Sequence, residues 1–267
     1  MVDFILKDCY NIQDLVDIIR VLRAPGGCPW DAKQTHESIK KNLIEETYEV
    51  IEAINKDDKA LLCEELGDLM MQIVLHSQME TEAGVFNFND VADGVCKKLV
   101  ERHPHVFGEV TVNSVEDVLT NWDAIKKKTK GQKTTADSMF SVPRELPALM
   151  RATKLQKKAA DIGFDWPDVS GALDKLEEEI AELRAAIANN DKANVNEELG
   201  DILFSAVNVS RFVKVDAEES LTAASDKFLA RFTQVEELAK ERNIDMMNSS
   251  LEELDSLWDE VKARSKN

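Results

Sequence analysis

Residues 43–68 read LIEETYEVIEAINKDDKALLCEELGD, and residues 176–201 read LEEEIAELRAAIANNDKANVNEELGD. The two blocks match without a gap at a constant offset of 133. Glu45, Glu46 and Glu49 meet Glu178, Glu179 and Glu182, and the run Glu64–Asp68 recurs whole as Glu197–Asp201. Flanking features recur as well. Trp30 and Trp166 precede the blocks, Lys98-x-x-x-Arg102 and Lys227-x-x-x-Arg231 follow them, and Trp122-Asp123 is answered by Trp258-Asp259. A duplication of this length means that whatever the chain folds into, it folds into twice. The pattern predicts one copy in residues 1–130, a linker in 131–147 that holds Pro143 and Pro147, and a second copy in 148–267. The lysines of the run Lys126-Lys127-Lys128-Lys130, just before, read as solvated.

The local pattern predicts an all-α chain. Gly (10) and Pro (6) are scarce and aromatics make up only 6%, so little favours strands. Leu43, Val50, Ile51 and Ile54 fall near helical spacing, as do Leu176, Ile180, Leu183 and Ile187. Polar turns at 55–58 and 189–191 interrupt each run, which predicts two antiparallel helices per block. Each copy is then a helical bundle built around an acidic hairpin.

The net charge of −18 divides into −9 in residues 1–130 and −9 in 151–267, so it is no acidic tail. It argues against long nucleic acids as partners, which need a basic face. No apolar run approaches the length of a membrane span, and the N-terminus lacks a signal-peptide pattern. Cys9, Cys28, Cys63 and Cys96 form no CxxC pair and read as free thiols. The expected location is the reducing cytoplasm.

Spacing carries the chemistry. Residues three apart on a helix share one face. Glu179 and Glu182 therefore point the same way, as do Glu198 and Asp201 on the partner helix. If those faces meet, four carboxylates converge, and repulsion among them is relieved by a cation. Oxygen donors without His or Cys select Mg²⁺, Mn²⁺ or Ca²⁺ over zinc or copper. Glu46, Glu49, Glu65 and Asp68 repeat the set in the first copy. A lone ExxE is usually a solvated face. Here an acid and a glycine interrupt apolar sequence twice, at Gly67-Asp68 and Gly200-Asp201.

The series Glu178-Glu179-x-x-Glu182 … Glu198-x-x-Asp201 resembles the signature of the all-α nucleoside triphosphate pyrophosphohydrolases. The tandem arrangement, Arg102-His103-Pro104-His105-Val106-Phe107-Gly108 and Lys227-Phe228-x-x-Arg231-Phe232 make the chain similar to the two-domain MazG family. The resemblance implies a Mg²⁺-dependent, dimeric hydrolase of broad base tolerance. It would convert a nucleoside triphosphate and water to the monophosphate and diphosphate. By the same resemblance Glu179, Glu182, Glu198 and Asp201 would hold metal, and Lys175, Lys227 and Arg231 would hold the triphosphate. Trp258 would contact base or ribose, and Glu178 is the candidate for positioning the attacking water. Lys175 corresponds to Asn42 in the first copy, although Lys40 and Lys41 are nearby, and with the resemblance this makes the second copy the expected main site. Two rivals differ in class. A di-iron bundle would want Glu-x-x-His pairs, which are absent here. A non-catalytic nucleotide-sensing or protein-interaction module would bind without turnover.

Overall fold

A computed structural model describes residues 4–112, 114–129 and 134–264. Among these residues every regular element is helical. The chain divides into two compact units, Met1–Lys126 and Lys127–Asn267. Lys130 lies outside the described residues, as do the side chains of Lys127 and Lys128.

The first unit begins with α1 (Ile12–Arg23), and α2 (His36–Asn55) and α3 (Lys59–Ala83) form its hairpin. Next come α4 (Phe88–Arg102), the single turn α5 (Pro104–Phe107) and α6 (Val115–Thr129). Local chemistry sets these boundaries. Asn11 and Thr35 close capping boxes on α1 and α2, and Asp58 caps α3. Gly84 ends α3 in the left-handed region at φ 72°. His103-Pro104-His105 is a structured turn, with Pro104 at the head of α5. Its small core joins α1, α2 and α3 through Ile19, Ile39, Val74, Leu75 and Met79.

In the second unit, α7 (Thr135–Phe140) and α8 (Ala148–Ala160) lead into the hairpin of α9 (Val169–Ala188) and α10 (Lys192–Phe212). Then α11 (Ala217–Glu241) and α12 (Leu251–Arg264) follow. Part of the segment with linker composition is thus ordered. Thr134 caps α7, Lys158 of α8 donates to Ser138, and Val142 is buried. Gln156 Nε2 of α8 donates to the Phe204 carbonyl on α10 at 2.8 Å. Arg211 forks Asp165 at 2.8 and 2.5 Å, which ties the end of α10 to the loop before α9. The main apolar cluster lies between α11 and α12, at Val235, Leu238, Ala239, Leu257 and Val261.

The duplication extends to backbone geometry. Asp57 and Asn190, paired by the offset of 133, both adopt positive φ (53° and 55°) in the hairpin turn. Asp and Asn tolerate that region better than most residues. The apolar stripe read from the sequence behaves differently. Ile51, Ile54, Ile180 and Ile187 remain exposed, while the α9–α10 seam buries Ala172, Ala186 and Val207 together with Glu179 and Glu198. The second hairpin buries Glu179 and Glu198 and the first half-buries Glu46 and Glu65, while both leave isoleucines exposed. No helix of the described residues is long and apolar enough to cross a membrane.

Candidate metal centre

In the second copy, Glu179 and Glu182 of α9 and Glu198 of α10 bring carboxylate oxygens within 4.8 Å of one another. Glu179 is 4% exposed and Glu198 8%, unusual burial for acids. Asp201 stands beside this trio rather than in it, and its charge still acts on Glu198. Burial, and then repulsion from Glu182, push the Glu198 carboxyl up. Glu179 goes the other way, held down mainly by its hydrogen bond to Lys175. Lys175 Nζ lies 2.8 Å from Glu179 and 2.9 Å from Glu178. Those two bonds, that to Glu179 first, raise the ammonium further.

The first copy builds the same trio from Glu46, Glu49 and Glu65, with Asp68 beside it and no lysine at position 42. Asp68 repels Glu46 there as Asp201 repels Glu198 in the second copy. Burial, then repulsion from Asp68 and Glu49, raises the Glu46 carboxyl, and burial followed by Glu49 raises that of Glu65. Gln72 takes a place that sequence reasoning did not give it. Its buried amide Nε2 points at Glu46 Oε1 from 3.4 Å, where the second copy has Ser205.

The remaining candidates lie on α11 and α12. Lys227 and Arg231 are one turn apart and make no ion pair among the described residues, unlike Lys175. Phe228 contacts Trp258 with ring centroids 5.3 Å apart and stacks on Phe232 at 5.9 Å, so Trp258 sits against the helix that carries both cations. In the first copy Arg102 lies over the Trp122 ring at 5.4 Å and His103 meets its edge at 4.9 Å. Trp30 is exposed and is no core anchor. A methyl group added at Gly67 or Gly200 would meet nothing within 4 Å, so close helix approach within the chain does not demand glycine there.

The MazG nucleotide pyrophosphohydrolase domain matches residues 34–107 and again 169–236, so that each match contains one acid trio. The chain belongs to the MazG family. A Thermotoga maritima protein named nucleoside triphosphate pyrophosphohydrolase/pyrophosphatase MazG is 42% identical over 250 residues, 94% of this chain and 95% of that one. An Escherichia coli K12 protein named nucleoside triphosphate pyrophosphohydrolase is 42% identical over 255 residues, 94% of this chain and 97% of that one. The uncharacterized YabN of Bacillus subtilis is 49% identical over 248 residues, 92% of this chain and half of YabN.

Proposed function

We propose that the chain is a nucleoside triphosphate pyrophosphohydrolase of broad base tolerance that works with Mg²⁺ at the acidic hairpin of its second copy. The observation that carries the reading is the convergence of Glu179, Glu182 and Glu198, two of them buried, inside a hairpin of a MazG domain. The donor set fits a hard cation. It is all oxygen, and burial, followed by repulsion from Glu182, pushes the carboxyl of Glu198 up. Glu179, Glu182, Glu198 and Asp201 would hold Mg²⁺, with Mn²⁺ as a substitute. When bound, the metal supplies charge for the phosphates and lowers the pKa of a coordinated water.

The chain's own groups divide the remaining work. Lys175, Lys227 and Arg231 offset triphosphate charge, Arg231 by forking two oxygens and the lysines as point charges. Trp258, backed by Phe228, offers an aromatic surface to base or ribose. Stacking reads no base edge, which suits broad base tolerance. Glu178, which adjoins Glu179 in the sequence, would orient the attacking water. The set Glu46, Glu49, Glu65 and Asp68 would be a second, weaker metal site. Apolar residues left outside the hairpins, among them Ile51, Ile54, Leu199 and Leu203, support assembly as a homodimer. The free cysteines suit a cytoplasmic location.

The deciding experiment incubates the protein with Mg²⁺ and several nucleoside triphosphates and identifies the products. Monophosphate and diphosphate are expected, and Glu179→Ala or Asp201→Ala should abolish them. Orthophosphate with a nucleoside diphosphate would refute the cleavage site. Binding without turnover would return the chain to the class of nucleotide sensors.

A further inference from the structure

The first hairpin contains a polar chain that the second lacks. His36, the first residue of α2, lies with Nδ1 2.6 Å from Nδ1 of His76 on α3. Its Nε2 lies 2.7 Å from Glu80 Oε1, one turn beyond His76. The two rings are within 4° of parallel, with centroids 4.9 Å apart. The centroids are farther apart than the facing nitrogens by about the width of one ring. The rings therefore lie edge to edge in nearly one plane, as an in-line N–H···N hydrogen bond requires. The offset of 133 places Val169, Val209 and Val213 opposite His36, His76 and Glu80. Where one copy has three valines, the other uses three titratable groups.

Donor and acceptor capacity fixes the proton positions. A neutral imidazole has one donor and one acceptor, and a carboxylate only accepts. Glu80 thus receives the Nε2 proton of His36, whose Nδ1 accepts from Nδ1–H of His76. Nε2 of His76 is left as an acceptor, buried and without a hydrogen-bond partner. One added proton can be held, because His36 then donates both to Glu80 and to His76. A second cannot, because two N–H groups and two positive charges would face each other.

We propose that the Glu80–His36–His76 chain is a pH-sensitive latch, which closes the open end of the first hairpin near neutral pH and releases it on acidification. Arg23 of α1 pairs with Glu82, two residues beyond Glu80, at 2.8 Å and donates to the Asp31 carbonyl of the 3₁₀ turn 31–33, which also carries Lys33. On α2 itself Glu37 pairs with Lys40 at 2.6 Å, and Asp90 of α4 is spent on capping that helix. Burial, and then His36, hold His76 below the ordinary histidine value of 6.5. Such a group binds fewer protons folded than unfolded. Its contribution is complete well above 6.5 and is lost as pH falls below that value.

The test uses the full chain and amide hydrogen exchange, expressed as protection factors, at pH 7 and pH 5. Protection in the first turn of α2 and the last turns of α3 should fall severalfold on acidification. The matching turns around Val169 and Val209 serve as the control in the same molecule and should not change. The triple substitution His36→Val, His76→Val and Glu80→Val should remove the pH effect. Should that variant fail to fold, ¹⁵N spectra of the wild-type imidazoles decide. A proton on Nδ1 of His76 at neutral pH, with two separated titration steps for the pair, supports the latch. Equal protection at both pH values, independent single-step titrations, or a metal site revealed by Zn²⁺ alone ordering this end at pH 7 would each overturn it.

Discussion

Lys175 Nζ reaches Glu179 at 2.8 Å and Glu178 at 2.9 Å, so one lysine holds both the most buried acid of the trio and its outward neighbour. The ammonium sets a positive charge against the trio. A metal bound at Glu179 would displace it toward the solvent side, where a triphosphate would arrive.

Lys175→Met should therefore act twice. The Glu179 carboxyl, held down mainly by this lysine, should move up when the partner is removed, as ¹³C carboxyl titration would show. The kcat/KM for nucleoside triphosphate hydrolysis should fall by roughly tenfold to a hundredfold, the range for a lost hydrogen bond to a charged group. An unchanged kcat/KM would remove Lys175 from the phosphate site.

Protons and metal should compete for the trio. Glu198 is raised in the fold, so it favours the folded state below its unfolded value and loses that contribution as pH rises through the folded value. Mg²⁺ should replace the lost contribution. The rise in melting temperature on adding Mg²⁺, read by calorimetry, should be larger at pH 7 than at pH 5.

The two copies should be unequal. Even outer-shell partners of metal ligands change affinity or activity by about 10–100-fold, so loss of a direct ligand should cost at least that. Glu198→Gln should reduce Mg²⁺-dependent hydrolysis at least about a hundredfold, whereas Glu65→Gln should leave most turnover intact. Steady-state assays on the full chain make the comparison. The reverse order would move the main site to the first copy.

Gly171 tests the anchoring of α9. A Cβ there would lie 2.3 Å from Cδ1 of Trp166, inside any tolerable contact. Gly171→Ala should push the indole off the start of α9 and destabilise the second unit by about 1–3 kcal/mol. Tryptophan emission should shift to the red, and the melting temperature should fall.

Much of this was legible in the sequence for a physical reason. A 26-residue ungapped repeat fixes the two-copy plan, and helical period with i, i+3 acids places Glu179 and Glu182 on one face. What escaped depends on partners distant in the chain. Periodicity shows that Ile51 and Ile187 share an apolar face but not what covers it, and the structure leaves both exposed. His36 and His76 stand 40 residues apart, and neither is part of a motif. Comparison of the copies, which sets valine against each member of the chain, is the signal that would have found them. Gln72 against Ser205 could have been noticed in the same way. Spacing groups Asp68 and Asp201 with their trios, while side-chain geometry sets them at the edge.

The exposed isoleucines of the hairpins, together with the homodimer proposed to cover them, bear on how the protein behaves on dilution. A fold whose apolar surface is covered by a second copy gains stability from mass action, because only the folded state associates. Specific activity should then depend on how much protein is in the tube. Measured at low nanomolar concentration, turnover per chain should decline with time and recover when more chain is added, including chain disabled at Glu198.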